Sequence, residues 1–160
     1  VQDLASQEII ASLGDLTGLT AFDLCAAPGG KATAMAGAGA RVVAMDSRLT
    51  RVGLMAGNVA GLGSDVAVLA GDALRPPLRE ALADVVLVDA PCSGLGVLRR
   101  RPDARWRVDA AEIDRLAELQ SAMLGSAASL VAVGGRLVSS VCTLTTAETT
   151  GVVGLSLIHI

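Results

Sequence analysis

Five short apolar runs recur along the chain, and helical or turn-forming segments separate each run from the next. The runs are residues 19–24, 41–45, 65–69, 84–88 and 135–141. A short apolar run bounded by turn residues is typical of a buried β-strand. Because strands that alternate with helices pair in parallel, we predict an α/β, Rossmann-like fold with a mostly parallel sheet and helices on both faces.

Helical patterns occupy the segments between the predicted strands. We predict helices over residues 1–13, 31–36, 49–60 and 108–130. Glycine commonly ends a helix because it adopts the left-handed backbone conformation without strain. The predicted helix stops are Gly37, Gly61 and Gly134. Residues 154–160 turn abruptly apolar, so we predict one partial domain over residues 1–153 followed by a non-native tail.

Composition places the chain among globular domains. Of 160 residues, 52% are hydrophobic and 18% are charged, which excludes a disordered chain. No unbroken apolar stretch reaches the roughly 18 residues of a membrane-spanning helix. The 3 cysteines are too widely separated to form a disulfide framework, and no secretory leader opens the sequence. We therefore expect a soluble domain in the cytoplasm.

The segment from Asp23 to Lys31 reads D-L-C-A-A-P-G-G-K and lies between the first predicted strand and the first crossover helix. Its Pro-Gly-Gly turn carries little side chain, as a nucleoside cofactor at this place requires. Asp46 ends the second strand and is a candidate acceptor for ribose hydroxyls, and Asp72 follows the third strand. Neither a Walker loop nor a dinucleotide fingerprint matches this segment.

Two cysteines directly follow the fourth and fifth apolar runs. Cys92 lies in D-A-P-C-S-G and Cys142 in S-S-V-C-T-L. The carboxyl ends of parallel strands face the ligand crevice, so thiols at these places favour chemistry. The alternative is that they only fill space, because free cysteine is among the most buried residue types. The cysteines and His159 lack the close paired spacing of zinc sites, so we predict no metal.

The basic residues are concentrated shortly after Cys92. The net charge is −3 and the pI about 5.0, which argues against nucleic-acid binding through overall charge. The local cluster consists of Arg99, Arg100, Arg101, Arg105 and Arg107. It is either a solvated loop or a contact for RNA phosphates, and its position beside Cys92 favours RNA. Trp106, within this cluster, either stacks on a base or anchors its loop on the domain.

Three segments carry a resemblance to a known family: residues 23–31, the D-A-P-C-S-G motif and the S-S-V-C-T-L motif. In this order they closely resemble the Nop/Sun family of S-adenosylmethionine-dependent RNA cytosine-5 methyltransferases, including the bacterial ribosomal-RNA enzymes. The resemblance covers residues 1–153. It implies S-adenosylmethionine as cofactor and RNA as substrate, with ribosomal RNA first and transfer RNA as the alternative. The cofactor contacts that it implies are Cys25, Ala26, Ala27, Pro28, Gly29, Gly30, Lys31, Asp46, Arg51, Asp72 and Asp89. Family domains continue with further strands, so the resemblance implies a catalytic-domain fragment truncated at the C-terminal strands.

The resemblance also implies catalytic roles. Cys142 is the nucleophile that adds to carbon 6 of cytosine, Cys92 assists release of the methylated product, and Asp89 hydrogen-bonds the cytosine edge. DNA cytosine-5 methyltransferases instead attack with the cysteine of a Pro-Cys motif, which would make Cys92 the nucleophile. The presence of both cysteine motifs favours Cys142, although many family members have Thr at the place of Val141.

Two other functions remain open at this point. One is an inactive S-adenosylmethionine-binding fragment, and the other is a nicotinamide-dependent oxidoreductase. The ligand that protects the fold on heating would distinguish the oxidoreductase from a methyltransferase.

Overall fold

The computed structural model describes residues 4–99, 102, 106 and 108–157. The strands are β1 Thr20–Asp23, β2 Arg41–Asp46, β3 Val66–Ala70, β4 Ala83–Asp89 and β5 Val131–Ser140. The helices are α1 Leu4–Ser12, α2 Gly30–Gly37, α3 Leu49–Gly61, α4 Ala110–Ala128 and α5 Val152–Leu157. A 3-10 turn, Leu95–Val97, follows β4, and a π-helical segment, Ala147–Gly151, precedes α5.

The strands form one parallel sheet in the order β3-β2-β1-β4-β5. After β3 the chain crosses to the other side of β1, so the order reverses between β1 and β4. In open α/β sheets a ligand crevice opens at such a reversal, outside the carboxyl ends of the strands. The predicted parallel α/β architecture is confirmed.

Apolar clusters cover both faces of the sheet. In β4, Val85 and Leu87 point into the cluster that includes Met35 of α2 and Met55 of α3. Val86 and Val88 point into the opposite cluster, with Leu124 of α4. All four β4 side chains are fully buried. This alternation follows from the two-residue repeat of a strand, and it confirms that helices pack on both faces.

The fifth strand begins earlier than predicted, and Gly134 lies inside it. Ala83 of β4 pairs with Val131 and Val85 pairs with Arg136, so β5 carries extra residues at an irregularity. Gly134 has φ +82 there, a left-handed conformation that glycine adopts at bulges. The prediction of Gly134 as a helix stop was therefore wrong, because the same conformational freedom serves a bulge instead.

The chain beyond β5 turns back against α4. Val152, at the start of α5, is 2% exposed and belongs to the same apolar cluster as Leu124. Helix α5 runs through the predicted domain boundary after residue 153. That boundary stays a prediction, and His159 lies outside the described residues. Within the described ranges, no helix is both long and apolar enough to cross a bilayer.

Two valine-to-alanine substitutions distinguish the contribution of burial to stability from that of strand propensity. Val85→Ala removes two methyl groups from the buried centre of the sheet and should lower the free energy of unfolding by about 2 kcal/mol. Val133→Ala makes the same change at a fully exposed position of β5 and should cost well under half as much. Urea denaturation of the two variants measures the difference, and equal losses would contradict the assigned core.

Candidate active site

A cavity of about 880 Å³ opens at the carboxyl ends of the strands and extends to α4. The predicted site residues that line it are Cys25, Ala27, Asp46, Arg51, Asp72, Asp89, Cys92 and Cys142. The predicted residues that do not line it are Ala26, Pro28, Gly29, Gly30 and Lys31. The structure thus brings the acidic residues and both cysteines to one cavity. Most of the glycine turn lies behind the cavity lining.

The turn before α2 is held against α3. Gly29 has φ +101, and a Cβ added there would lie 3.1 Å from Cγ of Met55. Asn58 donates to the carbonyl of Pro28 at 2.9 Å, and Arg51 donates to the carbonyl of Ala27 at 2.6 Å. Glycine is favoured at position 29 because a side chain would strain the backbone at this φ and would press on Met55.

Asp46 presents a buried carboxylate at the end of β2. Its side chain is 4% exposed, and Oδ2 lies 3.4 Å from Nη1 of Arg51. Oδ1 accepts a hydrogen bond from the backbone N–H of Arg48 at 3.0 Å, which fixes the carboxylate at the start of α3. A carboxylate has about four acceptor positions, so capacity remains for hydroxyl groups of a ligand.

Asp89 is fixed from both sides at the end of β4. Lys31 Nζ lies 2.5 Å from Oδ2, and Ser140 Oγ donates to Oδ1 at 2.8 Å. The side chain of Lys31 is 13% exposed and that of Asp89 is 36% exposed. Lys31 therefore contributes to this site by holding Asp89, while Asp89 keeps an accessible edge.

Asp23 is a buried carboxyl that the sequence analysis did not assign to the site. It is 1% exposed, and neither carboxyl oxygen has a hydrogen-bond partner in the described part of the chain. Burial, together with the negative charge of Asp89, raises the pKa of Asp23 to about 7. Its place at the start of the glycine turn was a usable signal, since a strand-end acid there is adjacent to the cofactor motif.

The two cysteines lie in contact across the ends of β4 and β5. Cys92 Sγ and Cys142 Sγ are 3.0 Å apart, and the backbone N–H of Cys142 donates to Cys92 Sγ at 3.2 Å. Cys92 is half-buried and Cys142 is exposed. One thiol can therefore pass its proton directly to the other.

The contact shifts the pKa values of the two thiols in opposite directions. The hydrogen bond from the Cys142 thiol lowers the pKa of Cys92 to about 7, and the same interaction raises the pKa of Cys142. Burial raises the pKa of Cys25 to about 12, so this third thiol stays protonated. When the pair ionises, these directions favour the thiolate on Cys92, with the Cys142 thiol as its hydrogen-bond donor.

A buried acid behind the cysteines is a second group that the sequence analysis missed. Glu148 is 1% exposed and accepts a hydrogen bond from the backbone N–H of Ser93, next to Cys92, at 2.8 Å. An acid shortly after Cys142, in a segment rich in threonine, was the available signal.

Most of the predicted arginine cluster lies outside the described residues. Arg99 is described and exposed, whereas Arg100, Arg101, Arg105 and Arg107 are not described. Trp106 is 84% exposed, so the alternative in which it anchors its loop on the domain is wrong. An exposed indole face is available for contact with another molecule. Among the described residues, no group of three or more His, Cys, Asp or Glu side chains could hold a metal ion.

Comparison with known proteins gives consistent matches over nearly the whole chain. The family model described as 16S rRNA methyltransferase RsmB/F matches residues 13–159. The ribosomal RNA small subunit methyltransferase B of Sodalis glossinidius is 37% identical, over 94% of this chain and 36% of its own length. The probable enzyme of the same name from Synechocystis sp. is 42% identical, over 92% of this chain and 34% of its own length. The chain thus spans about a third of these relatives.

A solved structure shares the fold closely. The crystal structure of NSun6 from Pyrococcus horikoshii with SFG has a TM-score of 0.89 and 33% sequence identity. The match covers 98% of this chain and 41% of that one.

Removing the donor thiol should change the titration of its partner. In the unsubstituted chain, alkylation of Cys92 by iodoacetamide should rise with an inflection near pH 7. Cys142→Ala removes the hydrogen bond and should move the inflection up toward the ordinary thiol value of about 8.5. Mass spectrometry of the Cys92 peptide measures the profile. Cys25→Ala is the control and should leave it unchanged, and an unmoved inflection in Cys142→Ala would refute the shared proton.

Proposed function

The chain belongs to the 16S rRNA methyltransferase RsmB/F family, and from that premise we propose that it is the catalytic part of an RNA cytosine-5 methyltransferase. The proposed substrate is ribosomal RNA in the cytoplasm, with transfer RNA as the alternative. The observation that carries the proposal is the 3.0 Å contact between two thiols on the wall of a cavity that Asp46 and Asp89 also line. Membership of a methyltransferase family removes the nicotinamide-dependent oxidoreductase from consideration.

S-adenosylmethionine is the cofactor of this class of methyltransferase, and the residues present fit it. The buried carboxylate of Asp46 has acceptor positions for ribose hydroxyls, and Asp72 is an acceptor for the adenine amine on the same cavity. The turn at Gly29 packs against Met55 of α3, next to Ala27 on the cavity wall. When bound, S-adenosylmethionine supplies the electrophilic methyl group.

Cys142 is proposed as the nucleophile because it is the more exposed thiol of the pair. Its proton passes to the Cys92 thiolate across the 3.0 Å contact, which leaves a thiolate on Cys142. That sulfur forms a bond to carbon 6 of cytosine, and the electron pair of the C5=C6 double bond makes carbon 5 nucleophilic. The lowered pKa of Cys92 is the observation that supports the rival assignment, with Cys92 as nucleophile.

Asp89 is proposed to bind the edge of the target cytosine. A carboxylate accepts a hydrogen bond from the exocyclic amino group of cytosine, and Asp89 has an accessible edge on the cavity. Lys31 and Ser140 hold the carboxylate in one orientation. The target base must leave its stack to reach this edge, because a stacked ring hides carbon 6.

Cys92 is proposed to act again when the product leaves. A water molecule takes the proton from the methylated carbon 5, and the electron pair of that C–H bond re-forms the C5=C6 double bond. The bond between carbon 6 and the sulfur of Cys142 breaks, and its electron pair stays on the sulfur. The Cys92 thiol, then protonated, donates a hydrogen bond to the departing thiolate. The five arginines from Arg99 to Arg107 are proposed to bind RNA phosphates at the entrance.

A trapped adduct distinguishes the two nucleophile assignments. The chain is incubated with S-adenosylmethionine and RNA containing 5-fluorocytosine, in which carbon 5 carries no removable proton. A denaturation-resistant protein–RNA adduct should form and should be lost in Cys142→Ala. In Cys92→Ala it should still form, but more slowly, because the proton acceptor for Cys142 is missing. Gel electrophoresis after denaturation measures it. Loss in Cys92→Ala alone would transfer the nucleophilic role to Cys92, and no adduct with intact cofactor binding would indicate an inactive S-adenosylmethionine-binding fragment.

The exposed indole of Trp106 should contribute to RNA affinity. Stacking of a base on an aromatic side chain is worth about 1–3 kcal/mol, so Trp106→Ala should weaken binding of single-stranded RNA about tenfold. Leu62→Ala removes an exposed apolar side chain at the far end of α3 and should leave the affinity unchanged. Fluorescence anisotropy of a labelled RNA measures both, and equal affinities in the two variants would exclude a stacking role.

A further inference from the structure

Glu148 is a charged side chain enclosed in the protein behind the cysteine pair. It lies in the π-helical segment Ala147–Gly151 and is 1% exposed. The catalytic roles proposed above do not use it. An ionised carboxylate so deeply buried is costly unless several donors surround it, so the identity of its donors is informative.

One set of donors comes from the residue that follows Cys92. The backbone N–H of Ser93 donates to Oε1 at 2.8 Å, and the Ser93 hydroxyl donates to Oε2 at 2.5 Å. Ser93 is 6% exposed. The loop after β4 is therefore attached to Glu148 through both its backbone and a side chain.

A second set comes from the loop that carries Cys142. The hydroxyls of Thr143 and Thr145 donate to Oε2 at 3.0 Å and 2.9 Å. Thr143 Oγ1 also lies 2.8 Å from Ser93 Oγ. The residues directly after the two cysteines thus share one carboxylate oxygen.

Helix α4 completes the enclosure. Gln120 Nε2 lies 3.1 Å from Oε1 of Glu148 and 3.0 Å from the carbonyl of Pro91, the residue before Cys92. The residues on either side of Cys92 are therefore both linked to the Glu148 carboxylate, Ser93 directly and Pro91 through Gln120. The loop that carries Cys92 has little freedom to move relative to the carboxylate.

The carboxylate is ionised in this environment. Burial raises the pKa of Glu148, but the hydrogen bonds from Ser93, Thr145 and Thr143 outweigh burial and hold the pKa below its usual range. An anion requires every hydroxyl to point its hydrogen inward. A neutral amide is a poorer partner in either orientation. Its NH₂ group would meet three hydroxyls at the Oε2 position, or the Ser93 N–H and the Gln120 NH₂ group at the Oε1 position.

A backbone contact shows how closely the two loops approach. The N–H of Gly96 donates to the carbonyl of Cys142 at 3.1 Å, and a Cβ added at Gly96 would lie 3.0 Å from that oxygen. The loops therefore meet in a contact that tolerates little displacement. Small changes in their relative position would alter the distance between the sulfurs.

We propose that Glu148 is a positioning residue that sets the separation of the two cysteines by binding the residue after each of them. Its importance for catalysis rests on the proposed function, in which one thiol passes its proton to the other. The effect of Glu148 on the separation of the cysteines can be measured without RNA or cofactor. Without the carboxylate, Ser93 and Thr143 lose their common acceptor and the sulfurs separate.

The test uses phenylarsine oxide, an arsenic(III) reagent that condenses with two neighbouring thiols. Its As=O oxygen leaves as water with the two thiol protons, two As–S bonds form, and no oxidation state changes. The unsubstituted chain should bind one equivalent, and Cys92→Ala and Cys142→Ala should each abolish that binding. Glu148→Gln should weaken it at least tenfold, because hydrogen bonds to a charged group are lost. Isothermal titration calorimetry or mass spectrometry of the intact protein measures the binding.

The matched control is Glu118→Gln, which makes the same charge change at an exposed position of α4 and should bind the reagent as tightly as the unsubstituted chain. Thr143→Val removes one hydroxyl, with its hydrogen bond to Glu148 and its contacts with Ser93 and Thr145, and keeps the side-chain shape. It should weaken binding about threefold, so the proposal stays testable if Glu148→Gln does not fold. A role in stability alone would lower the melting temperature of Glu148→Gln and leave arsenical affinity unchanged well below it.

Wild-type arsenical affinity in folded Glu148→Gln, or in Thr143→Val, would overturn the proposal, as would failure of the unsubstituted chain to bind the reagent. A chain that binds the reagent but forms no adduct with 5-fluorocytosine RNA would instead count against the proposed function. In an active preparation, Glu148→Gln should lower kcat and leave KM for S-adenosylmethionine unchanged, because Glu148 does not line the cavity.

Discussion

The parallel pairing of β4 with β5 determines where the chemistry of this chain can occur. Asp89 pairs with Ser140 at the last position of the two strands, and the N–H of Ala90 donates to the carbonyl of Ser140 at 3.0 Å. Both cysteine loops start from this pair, so the strand register delivers Cys92 and Cys142 to the same point. A different register would separate the sulfurs and displace Asp89 from Ser140. The backbone pairing of β4 with β5 therefore determines where the side chains of both loops lie.

The sequence predicted the sheet and the position of the cavity because both follow from patterns that act locally. Apolar runs identify strands, and parallel topology places their carboxyl ends together. The beginning of β5 was not predictable in this way. Gly134 has the same intrinsic freedom at a helix end and at a bulge, and only its pairing opposite β4 decides between them. Local propensity cannot resolve that choice.

The residues behind the site were harder to predict from the sequence than those that line the cavity. Cys92, Cys142, Asp46 and Asp89 follow strands and are found by position. Glu148 acquires its partners only when three separate segments pack around it, and the threonine-rich sequence on either side does not by itself predict burial. The distribution of the proton between the cysteines likewise depends on a distance of 3.0 Å that no pattern encodes.

Asp23 shows how the site affects the thermodynamics of folding. Its pKa is about 7 in the folded chain, against about 3.9 in an unfolded one, so folding between these values takes up a proton. The contribution of Asp23 to stability is therefore most favourable below pH 4 and declines as the pH rises to 7. Carboxylates with a lowered pKa give the opposite slope. In the pH range near 7 where Cys92 also ionises, the folded chain begins to carry a buried negative charge on Asp23 close to that of Asp89, and mild acidification removes it.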